Sequence, residues 1–167
     1  MAILYRAHYH SMELQMELTR RRIPFEIRSG IRFFEQAHVK DIVSYLRIME
    51  NAKDELAWRR ILGLYPKIGK VTIEKIWTLL ARQADPLQVL FDPSFLKQVP
   101  KGAVTGLEKC RETFREMRRR PEPLNPRGAV EAVMKYGYGD YIRSKYTDWS
   151  SREDDLVQLG VYASKFA

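Results

Sequence analysis

Cysteine is almost missing from this 167-residue chain; Cys110 is the only one. No internal disulfide can form, which suits a reducing compartment such as the cytoplasm. The expected setting of that thiol is a half-buried place on a helix, as a small apolar residue. Long apolar runs are missing too, and none approaches the roughly 18–20 residues that a membrane span needs. The opening Met1-Ala2-Ile3-Leu4-Tyr5 runs at once into Arg6, His8 and His10, without the apolar stretch of a secretory leader. No G-x-x-x-x-G-K-[ST] phosphate loop, G-x-S-x-G elbow or H-E-x-x-H helix occurs. That excludes the nucleotide-hydrolase, serine-hydrolase and zincin chemistries built on those motifs within these residues. Histidine is sparse as well. His8 and His10 share one side of an extended segment, but without a third ligand no metal site is expected. Asp154 and Asp155 are adjacent on a helix and point apart, a poor geometry for paired carboxylates. They read as a solvated helix start, with Ser150 and Ser151 offering N-caps.

What the chain does have is positive charge. Lys and Arg outnumber Asp and Glu by 29 to 21, a formal +8, and such an excess favours polyanionic partners through counterion release at phosphates. With 45% hydrophobic and 30% charged residues the composition is that of a folded domain.

Along the chain, Ala2–Tyr5 suits a buried strand and Ile23–Arg28 alternates with period two, ending at Ser29-Gly30. Between them Leu14, Met16 and Leu18 lead to Arg20-Arg21-Arg22, a helix with cations at its C-terminus. The opening therefore predicts β-α-β. Two strands make a poor sheet alone, so residues 1–28 are expected to be the edge of a larger domain. From Ala37 onward the pattern is helical. Val39, Ile42, Val43, Leu46 and Met49 mark one buried face. Helices are also predicted at 56–64 (core Trp58, Ile61, Leu62), 71–81 (Ile73, Ile76, Trp77, Leu80), 86–91, 103–119, 127–136, 138–146 and 152–166. Asp92-Pro93, Pro100-Lys101-Gly102, Pro121-Glu122-Pro123 and Asn125-Pro126 read as connections. The fold class is mainly α, with a short β-α-β at the N-terminus.

The informative segment is Leu64-Tyr65-Pro66-Lys67-Ile68-Gly69-Lys70-Val71-Thr72. A helix, a short Ile-Gly loop and a second helix form a helix-hairpin-helix pattern. Gly69 is expected to permit the tight turn and close approach to a phosphate. The next helix then offers free N–H groups and its positive dipole end. Lys67 and Lys70 flank the loop with cations and Thr72 adds a hydroxyl donor. Such a grip reads backbone rather than bases. Arg20–Arg22, Arg59-Arg60, Arg115 and Arg118–Arg120 read as solvated faces. Tyr136-Gly137-Tyr138-Gly139-Asp140-Tyr141 reads as a helix connection with core tyrosines, the alternative being an aromatic docking surface for a repair or transcription protein.

These residues resemble the UvrD/Rep/PcrA helicases. Ala2–Arg6 followed by Ile23-Pro24-Phe25 looks like the late part of that family's motor core. Gly30-Ile31-Arg32-Phe33-Phe34-Glu35, with Val39-Lys40-Asp41-Ile42-Val43-Ser44-Tyr45-Leu46-Arg47, is similar to its G-x-x-F-F-x-x-x-E-[IV]-K-D-x-x-x-Y-L-R block. Ile68-Gly69-x-x-Thr72 sits where the family carries Gly-Ile-Gly-x-x-Thr, and Arg152–Leu156 resembles its R-x-E-N-L helix start. The resemblance implies an ATP-driven motor moving three-prime to five-prime on single-stranded DNA, with ATP and Mg bound elsewhere in the parent enzyme and no cofactor or catalysis in these residues alone. Residues 1–28 would belong to a RecA-like (2A) domain and residues 29–167 to the helical 2B accessory subdomain, which contacts duplex or junction DNA and works with the other helicase domains in cis. Arg6 then matches an arginine on the single-strand path, and Lys67, Ile68, Gly69, Lys70 and Thr72 the duplex-contacting loop. The sequence departs from the pattern at His8, Ser11-Met12, Gln36 and His38. It departs also at Lys67, which replaces the first loop glycine, costing conformational freedom and adding a charge.

Overall fold

Three helices begin on the same short signature, an Asp or Asn followed by proline. The side chains of Asp85, Asp92 and Asn125 each accept a hydrogen bond from a backbone amide of the first turn, with proline next in sequence. Such a cap satisfies an otherwise free N–H, and proline lacks the one that the first turn cannot use. The computed structural model describes residues 2–6, 8–27, 33–119 and 125–166. Among them run ten α-helices: α1 (His8–Arg20), α2 (Ala37–Glu50), α3 (Glu55–Leu62), α4 (Lys70–Ala81), α5 (Pro86–Val89), α6 (Pro93–Gln98), α7 (Val104–Arg119), α8 (Pro126–Val133), α9 (Gly139–Lys145) and α10 (Trp149–Ala163). The helix α6 was not expected, because Asp92-Pro93 reads equally as a turn.

The expected β-α-β is not formed. Its central helix is there as α1, but Ala2–Tyr5 and Ile23–Ile27 join no ladder, and Leu4 is 96% exposed. A strand exists only through its neighbour's amides and carbonyls, and no neighbouring strand is present among the described residues. Arg28–Arg32, and with them the start of the Gly30–Glu35 block, lie outside the described residues, as do Pro121–Leu124.

The core is built where α2, α3, α7, α8 and α10 pack together. Tyr45 and Trp58 both lie 5.6 Å from the Phe114 ring, at tilted angles, and the Trp58 indole N–H donates to the Ala52 carbonyl at 2.8 Å. Cys110 is fully buried rather than half-buried, and burial pushes its thiol up to about 12. The face that α2 presents also differs from the expected one. Val39, Ile42, Tyr45 and Ile48 are buried and Val43, Leu46 and Met49 only partly so, because the polar His38, Asp41 and Ser44 are buried beside them.

Two networks make that burial tolerable. Asp41 accepts from Tyr138 Oη and from Arg60 Nε, each at 2.6 Å. His38 is fully enclosed; Arg152 lies 3.0 Å from its Nδ1 and Asp155 Oδ2 lies 3.1 Å from its Nε2. A guanidinium only donates, so Nδ1 is the acceptor and the imidazole proton sits on Nε2, toward Asp155. Asp155 is therefore an interior group tying α10 to α2, not part of a solvated helix start. Nor do Ser150 and Ser151 cap α10: Asp148 occupies the N-cap position and the serines lie in the first turn.

Between α8 and α9 the helical run kinks at Gly137, where Tyr136 and Gly137 leave helical backbone angles, as the helix-connection reading expects. Met134–Tyr138 forms a π-helical turn in which the Gly139 amide bonds back to the Met134 carbonyl and Gly137 adopts φ 155°. A Cβ on Gly139 would meet the Met134 carbonyl oxygen at 2.6 Å. Replacing Gly139 by alanine is expected to cost about 1–3 kcal/mol, through displacement of backbone that cannot yield as a side chain does. A melting temperature unchanged within a degree or so in thermal denaturation would show that the turn relaxes freely.

Candidate nucleic-acid interface

The connection between α3 and α4 is bent by Pro66 and Lys67, not by Gly69. The Ile68 amide donates to the Tyr65 carbonyl at 3.4 Å, which closes a four-residue turn with proline second and Lys67 third. Lys67 has φ 63°, the left-handed value that the third position of a type II turn requires. Gly69 has φ −90° and ψ 176°, an extended conformation open to any residue, and a Cβ there meets nothing within 4 Å. The two corners of the turn, Tyr65 and Ile68, are each 5% exposed. They press on α7 at Gly106, where a Cβ would lie 3.1 Å from both side chains. Pro66 and Lys67 project into solvent.

Five of the six expected site residues are thus brought together, in two different roles. Lys67, Gly69 and Lys70 are exposed and Thr72 is half-buried, whereas the Ile68 side chain belongs to the core. Gly69 is the N-cap of α4 and no side chain caps that end. The Lys70, Val71 and Thr72 amides, at the start of the helix, have no carbonyl one turn back to bond and point outward with the positive dipole end. Neither lysine ammonium has an ion-pair partner among the described residues. Arg6 is exposed in the extended segment before α1, and no hydrogen bond or ion pair joins it to the turn. Val71, 71% exposed in the first turn of α4, was not anticipated, because in sequence it reads as one more apolar helix position.

Most of the clustered arginines among the described residues are paired with acids. Arg59 pairs with Glu55 at 2.6 Å and grips both carboxylate oxygens of Glu74, and this guanidinium holds the Glu74 carboxyl below its ordinary range. The bridge fastens α3 to α4 and neutralises the acid nearest the α4 start. Arg60 serves Asp41 and the Ala37 carbonyl. Arg20 and Arg21 share Glu17, whose carboxyl they lower to about 2. Arg115 and Arg119 pair one turn back along α7. Of the tyrosines considered for docking, Tyr138 is buried and Tyr136 and Tyr141 are half-buried.

Gly63 to Lys70 has a superficial likeness to an ATP phosphate loop. It carries five residues between its glycines instead of four, Val71 where a Ser or Thr binds Mg, and a helix in front instead of a strand. These residues do not fit ATP. No three His, Cys, Asp or Glu side chains gather as a metal site among the described residues, and no helix among them is long and apolar enough to cross a membrane.

Lys67 sits where glycine is the comfortable residue, which gives a prediction of two opposed signs. Lys67→Gly is expected to stabilise the fold by about 0.5–1 kcal/mol by relieving the left-handed backbone, while removing one cation from the surface. Chemical denaturation checks the first half; a lower unfolding midpoint would contradict the turn assignment.

These features define a basic, mainly helical chain with an exposed cationic turn. The UvrD-like helicase C-terminal domain matches residues 1–99, more than half of the chain, and the chain belongs to that family. It is 39% identical over 169 aligned positions to DNA helicase II of Haemophilus influenzae, covering 99% of this chain and 23% of that protein. Against the ATP-dependent DNA helicase PcrA of Staphylococcus epidermidis it is 30% identical, covering 95% and 22%. A probable DNA helicase II homolog of Mycoplasma capricolum is 46% identical over 44% of this chain and 10% of its own length. The chain thus spans about a fifth of the relatives that it matches end to end.

Proposed function

We propose that this chain is the DNA-contacting accessory part of an ATP-dependent helicase that moves three-prime to five-prime, gripping the duplex backbone ahead of the motor. The observation that carries the reading is the uncapped start of α4, with Lys67 and Lys70 exposed and unpaired beside it. The α3–turn–α4 unit then acts as a helix-hairpin-helix: the turn approaches a phosphate, the free amides of α4 donate hydrogen bonds to it and the lysines neutralise it. Residues 29–167 are read as a 2B-like subdomain and residues 1–28 as an edge of a RecA-like domain. The apolar flanks of α1, exposed at Ile3, Leu4 and Ile23, are what such an edge leaves when its neighbouring strands are elsewhere. ATP and Mg belong to the rest of the parent enzyme, and this chain alone is expected to hydrolyse nothing. A docking role for Tyr136–Tyr141 is the weaker reading, since Tyr138 is committed to Asp41.

The test is equilibrium binding of duplex and forked DNA by fluorescence anisotropy, across a salt series and two unrelated base sequences. Binding that weakens steeply with salt and ignores sequence supports the proposal. Absence of binding at low salt, or a strong base preference, rejects it.

A further inference from the structure

The tip of the α3–α4 turn is held from behind by a buried hydroxyl relay. The Tyr65 ring passes under the turn, and its Oη lies 2.8 Å from Tyr45 Oη of α2 and 3.5 Å from the Thr113 hydroxyl of α7. Thr113, fully buried, is also 3.3 Å from the Tyr136 carbonyl in the π turn. Gly137 gives the Tyr65 ring its room, since a Cβ there would lie 3.3 Å from Tyr65 Cε1. Gly106 does the same below the Tyr65 Cβ. One side chain therefore meets α2, α7 and the π turn, while its own backbone carbonyl closes the turn onto Ile68.

We infer that Tyr65 is a positioning residue for the proposed phosphate contact: anchored through its phenol, it holds the turn so that Lys67 stands at the tip in a left-handed conformation. This rests on the DNA-gripping reading of the same turn. The anchor works against a real cost, because a lysine at positive φ relaxes toward ordinary backbone once its flanking corners are released. Loss of the anchor leaves both lysines in place but spreads Lys67 over several orientations, so charge is kept and aim is lost.

Tyr65→Phe keeps the ring and removes only the phenol oxygen; Tyr45→Phe removes the same hydrogen bond from α2 without touching the turn. In the 167-residue chain without DNA, both variants are expected to speed hydrogen exchange at the Ile68 amide about tenfold while α10 amides stay unchanged. With duplex DNA, Tyr65→Phe is expected to weaken binding about threefold at every salt concentration, with the salt slope unaltered. In a Lys67→Ala background the substitution is expected to cost nothing further, as a double-mutant cycle reads directly. Unchanged Ile68 exchange in both variants overturns the inference, and so does an affinity loss that persists undiminished without Lys67. If the native chain fails to bind duplex, the DNA reading falls, and the exchange measurement alone still decides whether the phenol holds the turn.

Discussion

Asp41→Ala is expected to destabilise the fold by about 2–3 kcal/mol, because it takes the acceptor from a buried phenol and the partner from a half-buried guanidinium. The Asp41 carboxylate receives the Tyr138 hydroxyl from the π turn and the Arg60 guanidinium from α3. Removing it leaves the half-buried Arg60 with the Ala37 carbonyl and solvent. Asp41→Asn separates shape from charge. Burial raises the Asp41 carboxyl above its ordinary range, and this outweighs the opposing pulls of Tyr138 and Arg60. A neutral acceptor is therefore nearly as well tolerated as the anion, and asparagine is expected to recover most of the loss. The sign follows from linkage. A carboxyl raised in the folded state binds its proton more tightly there than in the unfolded chain, so its contribution is greatest below the ordinary carboxylate range and falls as pH rises through the elevated value. The native chain is thus expected to lose stability relative to Asp41→Asn as pH rises above the ordinary carboxylate range. Urea denaturation at several pH values reads this difference, and a gap that widens in favour of aspartate as pH rises would contradict it.

Replacing Lys67 and Lys70 together by alanine is expected to flatten the salt dependence of duplex binding by about two phosphate contacts. Each contact contributes a slope near 0.9, so across a fourfold rise in salt the native chain is expected to lose roughly tenfold more affinity than the variant. The two ammonium groups are exposed and make no ion pairs among the described residues, so the fold is expected to survive their loss. Replacing Arg59 instead opens the Glu55–Arg59–Glu74 bridge and frees an acid beside the α4 start; a loss of affinity there mixes structure with charge. An unchanged slope in the lysine variant would remove this turn from DNA binding altogether.

Much of the fold could be read from the chain, and its failures have a common cause. The helices α2, α3, α4, α7, α8, α9 and α10 follow apolar spacing, and their ends fall close to where that spacing ends. Trp58, Ile61, Leu62, Ile76 and Leu80 are core residues, as that spacing requires. His38, Asp41 and Asp155 are buried too, and no hydrophobic pattern announces them, because each depends on a partner far away in sequence. The expected strand pair fails for the opposite reason: alternation describes one strand, whereas a ladder needs two. In the candidate site the lysines and the second helix were readable. The sequence points to Gly69 for the bend, since glycine is the usual bearer of positive φ, yet Pro66 fixes the turn and Lys67 takes the strain. Tyr65 and Gly106 were invisible as supports because their contact joins residues about forty positions apart.

The turn divides its labour sharply: two buried corners decide where it sits, and two exposed positions decide what it offers. Position 67 is consequently a tuning point whose side chain is unconstrained while its backbone must stay left-handed. Substitution there alters charge and reach over a fixed base, so lineages carrying this fold could strengthen or loosen their hold on a polyanion by changing a single codon.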